Sequence, residues 1–272
     1  THTAIIEYPM AKRGVNLYGN IADMHAEEAI FAQNCIWKNG MIKRGGSSKF
    51  ETDEVSAGKK IAGLHRFYYG TGSKQLLSAS GTVVKYHDGA TWQNARTGMT
   101  DDKQVFFATW LDNAFIANAT DQPSRWDGTT NTSVAAAPAN TVMFLPYQDR
   151  LLSITGGDLT WSAAFSYATW ESLANCGVRP DTYLYGMCLH SSTNVAAGYD
   201  AKVLLGGANG MYLFYGSDLR VPFTTGDYVI YPLAGNVGCN APRTMCWTPK
   251  GTMYLGIDRQ VYLLPFNSPM PV

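Results

Sequence analysis

Of the chain's 272 residues, 46% are hydrophobic and 15% charged, with 21 Lys and Arg balanced by 21 Asp and Glu. So much apolar material excludes a wholly disordered chain, and zero net charge argues against a strongly basic nucleic-acid binder while leaving room for a local patch. A charged share below the roughly 25% of ordinary soluble domains points to a surface partly covered by partner subunits.

The chain opens Thr1-His2-Thr3-Ala4-Ile5-Ile6-Glu7-Tyr8, without the basic and then apolar segments of a signal peptide. Its first residue is not Met, which suggests processing or truncation. Asp23 is placed to cap a short helix predicted over 24–33, with Glu27 and Glu28 near its positive end. Next, Asn39-Gly40 separates the strand-like runs Cys35-Ile36-Trp37 and Met41-Ile42-Lys43. That dipeptide is the strongest short hairpin signal, because a type I′ turn needs positive φ at both central residues. Residues 45–60, with three Gly and three Ser, read as a loop.

From residue 60 onward an apolar strand, a polar turn and a second apolar strand recur. Leu77, Ile116, Leu152, Leu204 and Tyr254 are taken as equivalent positions, and they lie 39, 36, 52 and 50 residues apart. Four-stranded propeller blades repeat at about 40–50 residues. The strands are rich in Val, Ile, Leu, Tyr, Phe and Trp and end at Gly, Asn and Asp turns. The expected fold class is all-β: a β-propeller-like array of antiparallel blades over 51–272, preceded by a segment 1–50 with a short helix and a hairpin. A β-sandwich with irregular hairpins is the alternative. The fourth repeat carries a long insertion before Lys202, which leaves the number of blades open. The closing stretch from Pro265 to Val272 reads as a linker, so a longer mature chain is an open possibility.

Motifs for chemistry are missing or wrongly spaced. Gly70-Thr71-Gly72-Ser73-Lys74 departs from the phosphate-loop pattern and precedes a strand, so it reads as a turn. Gly206 to Gly210 lacks the dinucleotide-binding spacing and a following helix, so it reads as a hairpin turn. Asp88-Gly89 and Trp126-Asp127-Gly128 resemble sialidase Asp-box turns without the residue those boxes carry between Asp and Gly. What they share is turn chemistry, with Asp accepting backbone N–H bonds while Gly takes positive φ. The five histidines and five cysteines show no metal-ligand spacing, and the cysteines read as reduced and buried, which fits folding in a cytosol. No apolar run nears the roughly 18–20 residues needed to span a bilayer. The expectation is therefore a non-enzyme without catalytic residues, cofactor or metal. The many aromatics read as blade packing, with sugar or base stacking the less common use.

Gly14-Val15-Asn16-Leu17-Tyr18, then Glu28-Ala29, then Asn34, then Asn39-Gly40 through Arg44-Gly45-Gly46 form a familiar order. Over roughly 13–50 this resembles the N-terminal segment of the tail nozzle (hub) proteins of short-tailed bacteriophages. The resemblance implies a structural virion protein assembled in the host cytoplasm, a six-copy ring that extends the DNA channel and retains or releases the genome. Implied partners are copies of itself, the tail adaptor, tail fibre proteins and transiently passing double-stranded DNA. Residues 1–50 are expected to strap subunits together. Arg13, Asn16, Asn34, Trp37, Lys43 and Arg44 are the candidate interface or channel-facing positions. A glycan-binding or glycan-cleaving propeller of a virion fibre or cell surface is the rival reading, and a monomeric cellular scaffold a third.

Overall fold

In a computed structural model the chain divides into two compact units, Thr1–Thr52 and Asp53–Val272. The structure describes residues 53–266 apart from 71, 171–182, 192–201, 217–227 and 234–236. It also describes residue 50 and, through strand pairing, residues 14–15, 28–29, 35–37 and 41–43.

In the first unit β1 (Gly14–Val15) pairs in parallel with β2 (Glu28–Ala29), Gly14 facing Glu28 and Val15 facing Ala29. This corrects the helix expected over 24–33: its centre is strand, and the rest of that range lies outside the described residues. A cap contributes about 1 kcal/mol and helices this short are marginal alone, so pairing to a distant segment overrides them. The hairpin is present as β3 (Cys35–Trp37) and β4 (Met41–Lys43), antiparallel, with Trp37 opposite Met41 and 38–40 as the connection.

The second unit is β-propeller-like, with five antiparallel sheets in sequence order. The first holds β5 (Ile61–Tyr69), β6 (Ser73–Ser80), β7 (Val83–His87) and β8 (Trp92–Arg96). The second holds β9 (Phe106–Trp110), β10 (Asn113–Ala117), β11 (Ser124–Trp126) and β12 (Asn131–Ser133). The third has β13 (Met143–Tyr147), β14 (Arg150–Thr155) and β15 (Asp158–Trp161). The fourth has β16 (Leu184–His190), β17 (Lys202–Gly207), β18 (Met211–Tyr215) and β19 (Val229–Pro232). The fifth has β20 (Cys246–Thr248), β21 (Gly251–Leu255) and β22 (Val261–Pro265). Each blade is a meander, and the leading strands β5, β9, β13, β16 and β20 neighbour one another in turn.

The only helical element among the described residues is the 3-10 turn η1 (Pro242–Thr244). No helix among them is long and apolar enough to cross a membrane.

The second strand of each blade is the most buried. Every residue of β10 is buried, and so are Arg150 to Ile154 of β14 and Val203 to Gly207 of β17. Covered on both faces, these strands need not alternate, and apolar residues run together in Ala114 to Ala117, Leu151-Leu152 and Val203 to Leu205, with buried Asn113, Arg150 and Ser153 as polar exceptions. The turns follow the residue types present. Asp88 Oδ1 accepts the N–H groups of Ala90 and Thr91 at 2.8 Å each, and Asp127 Oδ1 those of Thr129 and Thr130 at 2.8 and 2.7 Å. Gly89 and Gly128 sit at φ +107° and +102°, a region that L side chains avoid. The β9–β10 turn falls on Leu111 and Asp112, both at positive φ.

Four apolar clusters fill the seams between successive blades. Phe67, Leu77 and Ile116 lie between the first and second, and Phe115, Phe144 and Leu151 between the second and third. Tyr147, Trp161 and Phe214 lie between the third and fourth, and Leu204, Met211 and Met245 between the fourth and fifth.

A polar clasp also joins the first two blades. Asp121 accepts from the Thr100 N–H, the Thr100 hydroxyl and Asn118 Nδ2, each at 2.7 Å. Asp121→Ala removes three charge-assisted bonds and is expected to cost about 2 kcal/mol. Urea titration checks this; a change below about 0.5 kcal/mol would show that the clasp is idle.

Candidate functional site: the uncovered faces of the end blades

The sequence candidates fall on the first unit. Trp37 ends β3 and Lys43 ends β4, at opposite ends of one hairpin. Arg13, Asn16, Asn34 and Arg44 lie outside the described residues.

In the second unit His65 sits in a packing contact and His87 in a turn. His65 Nε2 meets Thr109 Oγ1 at 2.8 Å and its ring stacks on Phe107, across the seam between the first two blades. Burial lowers its pKa. His87 ends β7 beside the Asp88 turn, its Nδ1 accepting the Gly89 N–H at 3.2 Å.

Cys188 and His190 are two apart on β16 and share the hydroxyl of buried Thr252, from which His190 Nδ1 is 2.9 Å away. Burial pushes the Cys188 thiol up to about 12 and lowers His190 to about 4. At neutral pH the thiol is protonated and the imidazole neutral and weakly basic, the opposite of an activated Cys–His pair. Among the described residues no group of three or more His, Cys, Asp or Glu is arranged to hold a metal ion. Of the tryptophans in this unit, Trp126 and Trp161 are buried and Trp92, Trp110, Trp170 and Trp247 half-buried, none standing out as a stacking platform.

Large apolar side chains stand exposed on both end blades. In the first blade the side of β5 that faces away from the second blade carries Leu64 and Tyr68, 64% and 52% exposed, with Arg66 lying over the Tyr68 ring at 5.3 Å. A β-bulge between Ile61 and Gly63 keeps Ile61 on that same side, where it is half exposed. At the other end the register aligns Cys246, Met253 and Leu263 across the fifth blade, with Leu255 and Val261 in the next row. Val261 and Leu263 are 67% and 47% exposed, whereas Tyr254 and Leu264 on the opposite side pack toward the fourth blade.

An array of five blades with four apolar seams has two end faces. Between them the described link is polar: Arg243 of η1 donates to the carbonyl oxygens of Ala62 and Val105 and lies 5.6 Å over the Phe106 ring. Sequence alone does not reveal these faces, because Leu64 and Leu263 sit in strands that look like any other blade strand.

No protein-family model and no curated protein matches the chain. Among solved structures it is similar to one of BBS1N in complex with ARL6DN, soaked with lead, at 10% identity over 78% of this chain and 69% of that one, TM-score 0.49. A second is the extracellular domain of the BT4673 hybrid two-component system of B. thetaiotaomicron, at 10% identity over 78% of this chain and 32% of that one, TM-score 0.45. A third is PorZ, an essential bacterial surface component of the type-IX secretion system of Porphyromonas gingivalis, at 12% identity, 86% and 43% coverage, and TM-score 0.39. The chain spans about a third and under half of the latter two. At these identities and TM-scores none of the three bears on function.

Proposed function

We propose that the chain is a structural subunit of a short-tailed bacteriophage tail, one member of a nozzle or hub ring that continues the DNA channel and retains the genome until ejection. The observation that carries the subunit role is the pair of bare apolar faces at the two ends of the array, Leu64 and Tyr68 on one and Val261 and Leu263 on the other. Two different patches on one molecule suit head-to-tail contacts, which generate rings when the rotation closes. The tail assignment rests on the motif order in 13–50. Its Gly14 and Glu28-Ala29 pieces, far apart in sequence, are strand partners in β1 and β2, which supports reading them as one unit. On this reading copies of the chain, the tail adaptor and tail fibres cover the low-charge surface, while DNA passes without a tight site.

Native mass spectrometry and sedimentation test the ring. The wild-type protein is expected to self-associate, and Leu64→Asp or Leu263→Asp each to yield monomers with unchanged circular dichroism. Mixing the two variants restores one intact contact and gives 1:1 dimers that grow no further. A wild-type protein monomeric at tens of micromolar would overturn the ring. Variants that assemble like wild type would overturn the end faces as its contacts.

A further inference from the structure

We propose that His190 is an acid-released latch that frees the fifth blade from the fourth as the pH falls below neutrality. The fifth blade is an end blade, so a single apolar seam holds it to the array. One end of that seam is tied by a small knot of polar and aromatic groups. His190, the last residue of β16, is 5% exposed and reaches Thr252 Oγ1 of β21 at 2.9 Å. Phe266, just past β22, lies against the imidazole with ring centroids 5.0 Å apart. Trp247 of β20 donates its indole N–H to the carbonyl of Ser191 at 2.7 Å, and its ring approaches Phe266 at 6.4 Å. The fourth blade thus contributes His190 and Ser191, and the fifth contributes Trp247, Thr252 and Phe266.

The surroundings suit a neutral ring and not a charged one. On β16 the nearest titratable group is the Cys188 thiol, protonated at all relevant pH, which shares the Thr252 hydroxyl. On β17 Lys202, directly opposite His190 in register, is a like charge. From β20, β21 and the Phe266 segment the groups that meet the knot are Trp247, Thr252 and Phe266, none of which carries charge. Among the described residues no carboxylate acts on the ring. An imidazolium here would be a buried cation beside a lysine, with no carboxylate among the described residues acting on it. Such a group is stable only when exposed to water.

The sign follows. The closed blade takes up the proton only near pH 4, mainly because the ring is buried, while an exposed histidine takes it up near 6.5. Above 6.5 neither state is protonated and the seam has its full stability. Between 6.5 and 4 the opened state holds the proton and the closed state does not, so each step downward favours opening. At pH 5 the opened population is expected to be roughly 30-fold higher than at pH 7.5. His65 at the first seam points the same way, but it is only half-buried and the blade it serves carries a polar clasp as well.

Hydrogen exchange of the intact protein tests this, with peptides covering 246–265 followed at pH 7.5 and pH 5 after correction for the intrinsic rate. Faster exchange at pH 5 is expected in the fifth blade, with the third blade, 143–161, unchanged. His190→Gln can still bond Thr252 and cannot be protonated, so its fifth-blade exchange should no longer respond to pH. A Gln variant with the wild-type pH response would overturn the latch. If the variant does not fold, the wild-type profile decides alone: an increase shared equally by the third and fifth blades, or none in either, would overturn it.

Discussion

Replacing Trp161 with alanine lowers the stability of the protein by about 4 kcal/mol in a urea titration, at the upper end of large-to-small substitutions in cores. Trp161 closes β15 opposite Leu152 and is 1% exposed. Its ring meets Tyr228 edge-on at 4.9 Å and leans on Phe214 at 5.9 Å, while Phe214 also meets Tyr147 at 5.9 Å. Removing the indole therefore leaves a void between the third blade and the Tyr228 and Phe214 rings of the fourth. Rings anchored on the neighbouring sheet cannot close over that void without moving a blade. Trp161→Phe keeps most of the volume and is expected to lose less than half as much. A loss for Trp161→Ala of under 1.5 kcal/mol would mean that the third and fourth blades do not depend on this seam.

Gly251→Ala is expected to cost about 3 kcal/mol or more, from two separate penalties. Gly251 sits at φ +151°, where a non-glycine residue pays on the order of 1–3 kcal/mol. A methyl group there would also lie 2.1 Å from the Leu264 carbonyl oxygen. That oxygen belongs to β22, which the pairs Gly251–Pro265 and Thr252–Leu264 hold in place, so relief requires moving the strand. Because β21 also carries Thr252, the loss should appear first as faster exchange in the fifth blade. A variant with wild-type stability would show that the β21–β22 register is soft.

Much of the architecture is legible in the sequence, and where it is not, the reason is local chemistry. Leading and second strands such as Phe106–Trp110, Asn113–Ala117 and Arg150–Thr155 stand out because each holds a short apolar run: Phe106-Phe107-Ala108, Ala114 to Ala117 and Leu151-Leu152. Outer strands do not stand out. β8 reads Trp-Gln-Asn-Ala-Arg and β12 Asn-Thr-Ser, compositions suited to a sheet rim and equally at home in a loop. Glu28–Ala29 misleads because helix signals are local and its partner, Gly14–Val15, is not. The Asp-Gly turns at Asp88 and Asp127 are legible because one side chain satisfies two N–H groups within three residues. Of the His190 knot, only the i, i+2 spacing of Cys188 and His190 on a strand is visible beforehand. Thr252 comes from a distant blade and Phe266 from beyond β22, so only folding brings them together.

The meander order of the blades also bears on how the protein is made. Every sheet pairs strands that are consecutive in the chain, so a blade can form as soon as its own repeat of some 40–50 residues is available, without waiting for distant sequence. Short loops close at small entropic cost. At a synthesis rate of about 5–20 residues per second, a new blade leaves the ribosome every few seconds. During each interval the newest sheet presents an apolar side that only the following repeat will cover. The sheet most recently completed is then the one at risk of sticking to a neighbouring nascent chain, and slowing translation would prolong that exposure.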